Sequence, residues 1–170
     1  QPAYFLFKLQ ELTFHQEFLW QNYPNAKEIF LIRDLRDRLC SVYNFNQSRG
    51  YKRFEEQGAG SEEEVVLNVK RSAQGLIGAI NKRKGQSLVV QYEQLVLEPE
   101  KTLQQILRYL EIEESSDIIQ RMVESSLRKL DGMSEIKTHK TSGSDPRLSI
   151  GRWKTDLSAE AVSLCHRHLG

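Results

Sequence analysis

Cysteine is scarce in this chain. Cys40 and Cys165 are the only two in 170 residues. That is too few for a disulfide-dense secreted scaffold or an all-cysteine zinc site. They can form at most one disulfide, and free buried thiols are the expectation. A charge excess of either sign is also lacking: 24 Lys and Arg face 23 Asp and Glu, a net charge of +1. Bulk charge therefore gives no argument for a nucleic-acid or anionic-membrane partner. Any anion site must be built by placing a few basic side chains locally. No apolar run approaches the roughly 20 residues of a membrane span, and no signal-peptide pattern is present. No His, Asp or Glu spacing suggests a metal site.

What is present fits a globular protein. With 39% hydrophobic and 28% charged residues, the chain is too apolar for disorder. Its length suits one domain that can bury roughly 70% of its unfolded surface without a metal or disulfide staple.

The apolar run Ala3-Tyr4-Phe5-Leu6-Phe7 reads as a short strand. A helix over 9–22 follows, closed by Tyr23-Pro24-Asn25. Glu28-Ile29-Phe30-Leu31-Ile32 is apolar on both faces, as in a central strand of a parallel sheet. Asp34 or Asp37 can cap the next helix, which carries Leu39, Cys40, Val42, Tyr43 and Phe45. Residues 46–60 read as a loop. Ser61-Glu62-Glu63-Glu64 is a capping box opening a long helix with a stripe of Val65, Val69, Ala73, Leu76, Ile77 and Ile80. Ser87–Tyr92 reads as a third strand. Helices follow from Pro99, around Ile118–Leu127 and from Ser158, with a long loop over 131–152. Strands alternating with helices predict an α/β class with a parallel sheet. Three strands are few for such a sheet.

The turn Ile32-Arg33-Asp34-Leu35-Arg36-Asp37 is the first candidate site. Parallel α/β sheets bind ligands beyond the carboxyl ends of their strands, and a helix N-terminus there favours an anion. Arg33 offers a planar fork suited to phosphate. Ser41 lies far enough along the helix for its hydroxyl to face the same anion. The plainer alternative pairs Arg33 with Asp34 or Asp37 and packs Ser41.

The segment Tyr23-Pro24-Asn25-Ala26-Lys27, the apolar strand, Arg33-Asp34-Leu35-Arg36-Asp37 and Ser41 resembles the 3′-phosphate-binding segment of the PAPS-dependent sulfotransferases. Leu35 stands where proline is usual. Val90-Gln91-Tyr92-Glu93-Gln94-Leu95 is similar to the family's Tyr-Glu-Asp-Leu strand. Ile150-Gly151-Arg152-Trp153-Lys154 is similar to its C-terminal Gly-x-Trp-Lys element.

The resemblance implies a P-loop-NTPase-like parallel sheet flanked by helices, in one domain over 1–170. It implies sulfuryl transfer from PAPS to a hydroxyl or amine, leaving PAP, with no metal. Arg33 and Ser41 would hold the 3′-phosphate and Tyr92 would lie against the adenosine. Arg147, Ser149, Gly151 and Arg152 would form the loop over the 3′-phosphate, or Arg152 and Lys154 would serve where the usual Arg-Lys-Gly run is absent. Trp153 reads as packing that loop against the body. Lys8 would lie near the sulfuryl group. The family histidine after it is absent, so Glu11 and His15 are the candidate bases; nothing in the spacing of His139 gives it a role.

The N-terminal 5′-phosphosulfate loop is not found. Gly58-Ala59-Gly60-Ser61 and Thr141-Ser142-Gly143-Ser144 both read as ordinary loops. The expectation is therefore a fragment whose first strand and phosphate loop precede Gln1, inactive alone and completed by that segment. The acceptor stays open among sugar, lipid, peptide and small phenol, with no nucleic-acid or membrane partner. A cytoplasmic location is expected, unless a Golgi-type anchor precedes Gln1. Two alternatives are a degenerate, non-catalytic PAP-binding or interaction protein of the same fold, and a P-loop kinase relative with Asp34 as magnesium carboxylate.

Overall fold

A computed structural model describes residues 14–127 and 145–170, together with Leu6 and Lys8. The elements, in order, are α1 (Phe14–Asn22), β1 (Glu28–Ile32), α2 (Leu35–Arg49), α3 (Glu62–Lys82), β2 (Ser87–Gln91), α4 (Tyr92–Leu97), α5 (Pro99–Leu110), α6 (Ser116–Leu127), α7 (Trp153–Asp156) and α8 (Ala159–Leu169). Short 3₁₀ turns lie at Phe54–Glu56 and Pro146–Ser149. The described architecture is helix-rich α/β, with a two-stranded parallel sheet.

The strand expected at 3–7 lies outside the described residues apart from Leu6, which is exposed and in no regular element. The sheet is also less covered than an apolar-on-both-faces strand predicts. Phe30 and Val90 are buried, but Ile29, Leu31 and Val89 are exposed.

Local chemistry explains the helix boundaries. The Asp34 carboxylate accepts the Arg36 N–H at 2.9 Å and caps α2, leaving Asp37 for another task. Gly50, at φ 71°, closes α2 with its N–H on the Asn46 carbonyl at 2.9 Å. The helix thus runs through Asn46–Arg49, where the sequence reads as loop. Asn46 is the reason that reading fails: buried, it donates to the Arg53 carbonyl at 2.9 Å and accepts the Arg53 N–H at 3.1 Å, so the 50–56 loop folds back on α2. The Ser61 hydroxyl caps α3 by accepting the Glu64 N–H at 3.2 Å. Glu64 in turn accepts the Gly60 N–H at 2.6 Å, a capping box shifted back by one residue. The expected third strand ends one residue early, because Tyr92 begins α4.

Leu39 of α2, Val65, Val66 and Val69 of α3, and Leu164 and Cys165 of α8 form one buried cluster. The α3 stripe needs a correction. Val66 and Ala79 are buried, while Ile77 is exposed, one position off the 3.6-residue period. Both cysteines are free and buried. Burial pushes the Cys40 thiol up to about 12 and raises that of Cys165. No described helix is long and apolar enough to cross a membrane.

Candidate functional site

Strand register builds the site. In the parallel pair, Ile32 lies opposite Gln91, so the next residues, Arg33 and Tyr92, leave the sheet side by side. The Arg33 guanidinium sits over the Tyr92 ring, 4.5 Å from its centroid. Its Nη2 donates to the Ser149 carbonyl at 2.5 Å. The Tyr92 and Ser149 hydroxyls are 2.9 Å apart. Because Ser149 Oγ donates to the Pro146 carbonyl at 2.6 Å, the Tyr92 hydroxyl is the donor to Ser149. Sequence positions 33, 92 and 149 therefore meet at one point.

A cleft of about 550 Å³ opens beside this point, lined by Arg33, Asp34, Arg36, Asp37, Glu93, Gly151, Trp153 and Lys154 among others. Its carboxylates are all engaged. Asp34 binds Arg36 through Nε at 3.0 Å and Nη2 at 2.6 Å. That side-chain bond holds the Asp34 carboxyl below its usual range, against the opposing effect of burial. Glu93 accepts the Asp34 N–H at 3.0 Å. Asp37 is 1% exposed and accepts the N–H groups of Gly151 at 2.6 Å and Trp153 at 3.0 Å. Arg36, already paired, covers the Trp153 ring at 4.0 Å, and the ring meets His166 edge-on at 6.4 Å. Among the described residues, Arg33 and Lys154 are thus the cleft cations without a carboxylate partner. Arg33 Nε is buried with no hydrogen-bond partner.

The plainer reading, with Arg33 paired to Asp34 or Asp37, is corrected by this geometry: Asp34 takes Arg36, and Asp37 takes two backbone N–H groups. Asp34 is spent on capping rather than poised as a magnesium carboxylate, and the described residues hold no cluster of metal-ligating side chains. Ser41 follows Asp37 by four residues on α2 but does not line the cleft, and neither do Tyr92 and Ser149, which act on Arg33. Arg147 is exposed on Asp145, and Arg152 is bonded to Asp156 through Nε at 2.7 Å. Lys8 is exposed and outside any regular element. Glu11, His139 and the side chain of His15 lie outside the described residues, as does Thr141–Ser144.

Two contributors escape sequence reasoning. The apposition of Asp37 with Gly151 and Trp153 spans more than 110 residues and leaves no local signal. Glu93 reaches the Asp34 N–H from the first turn of α4, a helix that the strand reading of 87–92 leaves out.

Comparison with curated proteins and with solved structures gave no match. A family model described as the sulfotransferase family matches residues 1–117. The match covers more than half of the chain and includes β1, the α2 N-terminus and Tyr92, while the 145–154 wall of the cleft lies beyond it. The chain belongs to the sulfotransferase family.

Proposed function

We propose that this protein binds PAPS and transfers its sulfuryl group to a hydroxyl or amine acceptor, releasing PAP. The observation that carries the reading is Arg33. It is a cation at the carboxyl end of a parallel strand, lining a cleft, with no carboxylate partner among the described residues. Such a group is suited to a phosphate, which accepts paired guanidinium bonds. The neighbouring carboxylates would repel an anion were they free. Asp34 is neutralised by Arg36, Asp37 and Glu93 turn oxygens onto backbone N–H groups, and Arg33 and Lys154 set two cations against their charge.

In this reading Arg33 holds the 3′-phosphate, Tyr92 and Ser149 orient its guanidinium, and Lys154 supplies a second cation. Ser41, Arg147, Gly151 and Arg152 belong to the same proposed surround. The acceptor oxygen or nitrogen attacks sulfur, the bond from sulfur to the bridging phosphate oxygen breaks, and the acceptor proton passes to a base, Glu11 or His15. Lys8 faces the charge growing on the leaving phosphate. As in phosphoryl transfer, the protein contributes position and electrostatics more than covalent chemistry. The reading carries with it a P-loop-like parallel sheet in a single domain, a cytoplasmic setting, and an acceptor among sugars, lipids, peptides and phenols.

Calorimetric titration with PAP tests it, with 5′-AMP as the control lacking the 3′-phosphate. The expected result is binding of PAP, weak or no binding of AMP, and an affinity loss of about a hundredfold in Arg33→Ala. A chain that binds AMP as well as PAP, or an Arg33→Ala variant with unchanged affinity, would overturn the assignment.

A further inference from the structure

We infer that Asp37 is a positioning residue for the cleft: its carboxylate fixes the turn at Gly151–Lys154 and so sets where the far wall stands. This rests on the proposed nucleotide site, but its first consequence is readable without nucleotide.

A carboxylate removed from water needs its oxygens bonded, and Asp37 is 1% exposed. The neighbouring Arg36 does not bond it, being held by Asp34. One oxygen takes the Gly151 N–H at 2.6 Å and the other the Trp153 N–H at 3.0 Å. Both donors belong to the chain entering α7, where N–H groups have no intrahelical partner. Asp37 thus caps a helix more than a hundred residues away while standing in the first turn of its own helix, where a negative charge is favoured. Gly151 has φ 73°, a left-handed conformation that glycine accepts without strain. That bend brings the two N–H groups round to one carboxylate. Arg36 over Trp153 and Arg33 on the Ser149 carbonyl secure the same segment on either side. Lys154, the next residue along, lines the cleft. Three side chains of the Arg33–Asp37 turn therefore hold residues 149–153, and Asp37 alone bonds the backbone at the bend.

Asn in place of Asp37 keeps one acceptor and turns an NH₂ toward the second N–H. Ala keeps none. The expected signature is graded. Amide exchange at Gly151 and Trp153 is slow in the parent, faster in Asp37→Asn and fastest in Asp37→Ala. In a Trp20→Phe background, acrylamide quenching of Trp153 rises in the same order. PAP affinity per folded molecule falls about tenfold in Asp37→Asn. Unchanged exchange at Gly151 and Trp153 would overturn the inference. So would a PAP affinity per folded molecule that stays at the parent's value, which would assign Asp37 to overall stability alone. A parent that binds no PAP would sink the nucleotide reading instead, and the exchange and quenching data would still decide whether Asp37 holds the turn.

Discussion

At the amino end of the β1–β2 pair, Arg83 is 8% exposed and closed in. It donates to the Ala26 carbonyl at 2.9 Å and the Pro24 carbonyl at 3.2 Å, and Glu28 lies 3.6 Å from its Nε. Trp20 donates to the same Glu28, and Tyr109 bridges Glu28 N–H and the Gln86 carbonyl. At the carboxyl end, Arg33 has an aromatic face and a carbonyl but no carboxylate among the described residues. Each arginine has a buried Nε without a hydrogen bond, so an unused N–H alone does not mark a site. Charge balance separates them. Arg83 is neutralised from within the chain and clasps strand, turn and helix together. Arg33 keeps its charge facing a cleft.

The amino end should respond most strongly to substitution. Arg83→Ala leaves Glu28 without its cation, and breaking a buried pair should cost about 3 kcal/mol in urea unfolding. PAP affinity per folded molecule should not change. Arg33→Ala should show the converse: a stability change within about 1 kcal/mol, alongside the loss of nucleotide affinity. Two variants that both unfold the protein, or both spare binding, would dissolve the distinction. Lys154→Ala should weaken PAP binding about threefold, and less at high salt, since this cation stands at the cleft wall. An equal loss at high and low salt would point to packing of the turn instead.

The smallest effect is one of pH. Arg36 holds the Asp34 carboxyl low. The stability this gives is complete above the ordinary carboxylate value, about 4. It drains as pH falls through the lower value of the folded state. Asp34→Asn should therefore lower the melting temperature at neutral pH and flatten its fall in acid. A parallel acid limb in both proteins would show that Asp34 carries no part of it.

Much of the carboxyl end was legible in the sequence. An apolar strand ending in Arg33-Asp34 before a helix places a cation and a cap at a strand terminus by local rules alone. Ser61, Pro99 and Ser158 likewise marked helix starts, because capping is short-range chemistry. The failures share a cause. Asn46–Arg49 reads as loop because its polar side chains look solvated, yet Asn46 is buried by a loop that returns to it. Tyr92 reads as strand because β-propensity favours it, yet the chain turns there. Ile77 reads as core by stripe, but the partners of α3 cover a slightly different face.

Local sequence alone sets the residue types at the turn after β1 and the starts of α3 and α8. All of these depend on neighbours a few positions apart, where covalent geometry restricts the outcome. Packing in three dimensions gives Arg36 to Asp34, sets Asp37 on Gly151 and Trp153, and leaves Arg33 with Tyr92 and Ser149. Those choices follow from strand register and from segments more than a hundred residues apart meeting in space. Which carboxylate neutralises which cation is settled by distance and burial, and neither is written in local spacing.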